Sequence, residues 1–99
     1  MSDSAFEQAV VVKNPKGLHL RPAELVAKMA MEYDATIILT KDGQEADCKN
    51  ILSVMTLGAE QGACLGLSAD GKDAAEAVTA LANLFDVGFH ELEASESEQ

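Results

Sequence analysis

Ala35-Thr36-Ile37-Ile38-Leu39-Thr40-Lys41-Asp42-Gly43-Gln44-Glu45-Ala46-Asp47-Cys48 is the stretch that decides the fold. Its first half is β-branched and apolar, the composition of a strand. Asp42-Gly43 follows, a strong short-range hairpin signal because both central residues of a type I′ turn need positive φ. The return strand, Gln44 to Cys48, places Ala46 and Cys48 on one face and Glu45 and Asp47 on the other. An antiparallel pair with one apolar face needs covering on that face only. Further on, Ala63, Leu65, Leu67 and Ala69 alternate with Cys64, Gly66 and Ser68, a second strand buried on one side.

Upstream, Gln8 to Val12 reads as a short strand closed by the turn formers Asn14-Pro15-Lys16-Gly17. A helix is expected to start at or just before Pro22 and to run to about Tyr33, since proline is tolerated in a first turn. Asn50 can cap a short helix, Ile51 to Leu57, which Gly58 stops. Asp73 and Glu76 have the spacing of a capping box. The last helix then places Ala74, Val78, Leu81, Phe85 and Phe89 on one side, opposite Glu76, Thr79, Asn83 and Asp86. The order β-α-β-β-α-β-α predicts an α+β open-faced sandwich, a four-stranded antiparallel sheet with three helices on one face. Residues 1–92 form one domain in this reading, and 93–99 an acidic, disordered tail.

The composition narrows the function. With 17 acids against 7 Lys and Arg, the chain of 99 residues carries a formal charge of −10, which argues against nucleic-acid binding. No apolar run approaches the roughly 18 to 20 residues of a membrane span. The N-terminus, Met1-Ser2-Asp3-Ser4, has neither the basic nor the apolar region of a secretory signal, so a cytoplasmic location is expected. Cys48 and Cys64 lack any ligand-like spacing and are expected as small packing residues in a reducing compartment. His19 and His90 stand too far apart in the sequence, without supporting ligands, to suggest a metal site. One segment reverses the overall charge: Lys13, Lys16, Arg21 and Lys28 face only Glu24 between Lys13 and Met31. Such a field suits an anion or an acidic partner.

Within that segment lies Gly17-Leu18-His19-Leu20-Arg21-Pro22. A helix start offers backbone N–H groups that have no acceptor in the helix, together with a dipole that favours anions. Arg21 adds a planar cation matched to phosphate oxygens. An imidazole with an unprotonated nitrogen is a nucleophile at neutral pH.

Gly17-Leu18-His19-Leu20-Arg21-Pro22-Ala23 resembles the active-site signature of the HPr-like phosphocarriers of the bacterial phosphotransferase system. Lys49 to Gly58 is similar to the second motif of that family, and Gln61 to Ala69 looks like its last strand. The resemblance implies that His19 accepts a phosphoryl group on Nδ1 from the phosphohistidine of enzyme I and passes it to a IIA-type protein for carbohydrate uptake. Arg21 would steady the phosphoryl charge, with Gly17, Leu20 and Pro22 shaping the site. No metal or cofactor is implied, and the carrier is expected as a monomer. The family's docking face would here comprise Leu20, Ala23, Ile51, Leu52 and Met55, rimmed by Arg21, Lys28 and Lys49, with some α-helical apolar residues turned to the sheet instead.

This chain departs from the family pattern at three positions, one of them Lys16, which sits where small polar residues are usual. Asn50 stands where many members carry a regulatory serine, and Glu24 where a small residue is commoner. If Glu24 faces the partner, affinity for an acidic enzyme I surface falls; if it faces solvent, little changes. Ala80 to Phe89 looks like the C-terminal helix of the nitrogen-related branch, whose output is control of target proteins. A pure interaction domain that carries no phosphate is the other alternative, though it would need neither His19 nor Arg21.

Overall fold

A computed structural model describes residues 5–90. The elements are β1 (Ala5–Val11), α1 (Leu20–Ala30), β2 (Ala35–Lys41), β3 (Gln44–Asp47), α2 (Ile51–Thr56), β4 (Cys64–Gly71) and α3 (Ala74–Asp86), followed by a short turn at Gly88–His90. The strands form one antiparallel sheet in the order β1-β4-β2-β3. All three helices lie on one face, as the patterning predicts. The acidic tail expected at 93–99 lies outside the described residues.

The hairpin forms where Asp42-Gly43 places it. Asp42 has φ 51° and Gly43 φ 84°, and Lys41 pairs directly with Gln44. That two-residue loop fixes the β2–β3 register, so Leu39 stands opposite Ala46; on its other side Leu39 pairs with Leu67 of β4. Val10, Ile37, Leu39, Ala46, Leu65, Leu67 and Ala69 are therefore all on the covered face, and all are buried. Against them pack Val26 and Ala30 of α1, Val54 of α2, and Ala77, Leu81 and Phe85 of α3. Each large side chain so buried contributes roughly 1.5–3 kcal/mol.

Four details differ from the sequence reading. Helix α1 begins at Leu20, just before Pro22 as expected, but ends at Ala30, three residues short of Tyr33. Asp73 makes no capping bond to α3; its carboxylate accepts instead from the backbone N–H of Asp34 at 2.9 Å, across the junction of α1 and β2. Phe89 is buried, but not as part of α3. The helix ends at Asp86, Gly88 turns the chain, and Phe89 at φ 56° swings back so that its ring meets Phe85 edge-on at 4.8 Å. Cys64 is exposed on the open face of β4, so it is not a packing residue.

Cys48 is buried directly after β3, its N–H bonded to the Ile37 carbonyl at 2.9 Å. Burial, and secondarily the Asp47 carboxylate, push its thiol from the ordinary 9.0 up to about 12. Between those values the unfolded chain loses this proton while the folded chain keeps it, so stability falls as pH rises. The slope approaches about 1.4 kcal/mol per pH unit at its steepest. Urea unfolding at pH 8, 9.5 and 10.5 is expected to show this loss in the wild type and a shallower one in Cys48→Ala.

Candidate functional site

The β1–α1 connection is held rigidly before it reaches the helix. Asn14 is fully buried, and its Nδ2 donates to the Gly17 carbonyl at 2.7 Å. The Gly17 N–H donates to the Asn14 carbonyl at 3.1 Å, and the Leu18 N–H to the Ala59 carbonyl at 2.9 Å. Leu18 is buried as well, which pins the loop to the α2–β4 connection. The sequence marked Asn14 only as a turn former; its burial depends on packing between two loops.

Gly17 adopts φ +70°, and a Cβ built on it would run into the Ala59 carbonyl oxygen. Both facts require glycine. Gly17→Ala is expected to cost about 3 kcal/mol, from a left-handed residue plus displaced backbone. The melting temperature of a domain this size should then fall by roughly 12–24 °C. Gly43→Ala is the comparison: φ is +84°, but no heavy atom lies within 4 Å of the added Cβ. It should lose only the conformational part, about 1 kcal/mol. Equal losses for the two variants would remove the steric argument for Gly17.

His19 follows as the N-cap residue of α1, with extended backbone and its carbonyl accepting from the Ala23 N–H at 3.0 Å. Leu20 and Arg21 are the first two helical residues and Pro22 the third. Their N–H groups have no acceptor one turn back in the helix, and Pro22 has no N–H at all. The anion-facing end of α1 therefore presents the N–H groups of Leu20 and Arg21. Pro22 is buried, which anchors this end against the core.

The half-buried His19 and exposed Arg21 line one open hollow of about 780 Å³, together with Leu20, Glu24, Leu25, Lys28 and Ile51. The hollow between β1 and α3 has no histidine in its lining. Lys13, another cation of the positive segment, is bound to Asp86 at the end of α3, 2.8 Å away.

The expected docking face divides. Leu20, Lys28 and Ile51 reach the hollow, and Leu52 stands 72% exposed beside it on α2 without lining it. Met55 is half-buried and packs on the core. Ala23 is completely buried, so it cannot belong to a docking face. Helix α1 turns 100° per residue, which puts Ala23 on the face toward the sheet with Val26, Ala27 and Ala30. Lys49 is also drawn away from the rim, its Nζ donating to the Tyr33 carbonyl at 3.0 Å. Leu25 and Glu24 are the lining residues that the family pattern did not supply. Asn50 caps α2 as its side chain predicts, its Oδ1 accepting from the Ser53 N–H at 3.1 Å. Among the described residues no group of three or more His, Cys, Asp or Glu side chains could hold a metal ion, and no helix is long and apolar enough to cross a membrane.

An open-faced antiparallel sheet displays a histidine at the opening of its first helix, the arrangement that the sequence resemblance implies. Comparison with known proteins points the same way. Residues 6–86 match the family described as "PTS HPr component phosphorylation site". The chain is 38% identical over 81 residues to the phosphocarrier protein HPr of Vibrio cholerae, covering 82% of this chain and 95% of that one. The crystal structure of an HPr from Thermoanaerobacter tengcongensis superposes with a TM-score of 0.83 at 38% identity, covering 86% of this chain and 96% of that one. A phosphocarrier HPr from Bacillus anthracis gives 0.79 at 32% identity, covering 84% and 99% respectively. This chain belongs to the HPr family of phosphocarrier proteins of the phosphotransferase system.

Proposed function

We propose that this chain takes a phosphoryl group onto His19 from the phosphohistidine of enzyme I and delivers it to a histidine of a IIA-type protein in the cytoplasm, acting as a monomer. The observation that carries this reading is the shared hollow, in which an accessible imidazole, a guanidinium and a helix start converge.

In the forward step a ring nitrogen of His19 (Nδ1 by family resemblance) directs its lone pair at the phosphorus of the donor. The P–N bond to the donor breaks as the new one forms, and the donor imidazole keeps the electron pair. One P–N bond replaces another, so positioning and charge neutralisation are the main tasks left to the protein. Arg21 and the N–H groups of Leu20 and Arg21 meet the phosphoryl oxygens in this mechanism. Leu20 and Ile51 supply apolar contact to the partner, and Lys28 a rim charge that steers encounter. Incubation with phosphoenolpyruvate and the source organism's enzyme I should add one phosphate, labile in acid and stable in base. Failure of every enzyme I paralogue to label the chain would count for the pure interaction domain.

A regulatory output is the second reading. It rests on the likeness of Ala80–Phe89 to the nitrogen-related branch and on Asn50 in place of a regulatory serine. Faster labelling by a nitrogen-type enzyme I than by a sugar-type one would favour it.

A further inference from the structure

We infer that Glu24 sets which partners this carrier accepts, by requiring a cation on the partner opposite the middle of α1; the inference rests on the phosphocarrier reading above. Along the exposed side of α1 run Arg21, Glu24 and Lys28, spaced three and four residues apart and hence neighbours on one helix face. All three line the hollow that holds His19. The docking stripe therefore reads positive, negative, positive.

Within the helix Glu24 has its neighbours Arg21 and Lys28 at i−3 and i+4, and exposed pairing of that kind stabilises only weakly. Glu24 lies beyond the first turn, where the helix dipole has little effect. It is not at the third helical position, which a capping-box carboxylate occupies; that position is Pro22. Helix α1 is held instead by burial of Pro22, Ala23, Val26, Ala27 and Ala30.

Toward a partner the carboxylate has a direct consequence. A uniformly acidic docking face would gain from Arg21 and Lys28 but set like charges against Glu24. A face with one Lys or Arg between carboxylates would complement all three. The matching partner is thus a phosphohistidine protein with a mixed-charge docking face, and Glu24 rejects the uniformly acidic kind by repulsion.

Initial rates of phosphorylation by each enzyme I paralogue of the source organism, measured at low salt for wild type, Glu24→Gln and Glu24→Lys, test this. For the preferred donor, Glu24→Lys is expected to raise KM about tenfold, with Glu24→Gln between, while kcat stays within about twofold because the contact is the same in ground and transition states. For the disfavoured donor KM should fall. Added salt should shrink both effects, and thermal unfolding should change little for Glu24→Gln and fall by only a few degrees for Glu24→Lys, which faces Arg21 and Lys28 as a like charge. KM values that stay together for all three proteins, or that rise equally for every donor, would overturn the role of Glu24 alone. A wild-type chain that no donor labels would overturn the phosphocarrier reading and this inference with it.

Discussion

A His19→Ala chain incubated with phosphoenolpyruvate and enzyme I is expected to take up no phosphate, while His90→Ala is expected to take up one equivalent like the wild type. The chain has two histidines. His19 lies at the helix opening in the hollow with Arg21; His90 is exposed beyond the end of α3 and does not line that hollow. With the nucleophile gone there is no second nitrogen to receive the group there, so the effect is loss of labelling rather than slowing. Acid treatment should release the phosphate from the wild type and base should not, which separates a P–N bond from a serine or threonine ester. Label persisting on His19→Ala would move the chemistry to another residue and dissolve the proposed mechanism. Matched melting curves of variant and wild type would establish that the lost labelling is not a loss of folding.

Arg21→Glu should slow transfer about 100-fold, the usual scale for losing one donor to a developing anion. Its effect on folding should be close to zero. The Arg21 side chain is exposed, and a carboxylate in a first helical turn is favoured by the dipole. Function and stability are thus predicted to separate, which a structural arginine would not allow. Arg21→Lys keeps the charge but loses the planar fork, so its rate should fall between the two. Stopped-flow transfer measured beside thermal unfolding reads both quantities. Parallel losses of rate and melting temperature would assign Arg21 to the fold.

Much of this site was legible in the chain because its parts are local. His19, Leu20, Arg21 and Pro22 are consecutive, and a helix start brings consecutive residues together without help from elsewhere. Asn50 likewise caps the helix that immediately follows it. The docking face was harder to read, since it joins α1 to α2 and depends on how each helix is rotated against the sheet. Ala23 looked like a contact residue and is core; Lys49 looked like a rim charge and is tied to Tyr33. Asp73 had the spacing for a capping box, but tertiary structure offered its carboxylate the Asp34 N–H instead.

Local chemistry was enough for the strand–helix order, the Asp42-Gly43 hairpin and hence its register, because alternation and turn conformation act over a few residues. The packed arrangement alone decided that Gly17 and Leu18 lock against Ala59, that Phe89 leaves the helix and turns back onto Phe85, and that Ile51 of α2 shares a hollow with His19. Each of these depends on how separate elements or turns are set against one another. A periodic pattern says which side of an element is apolar; only the closed core says what that side meets.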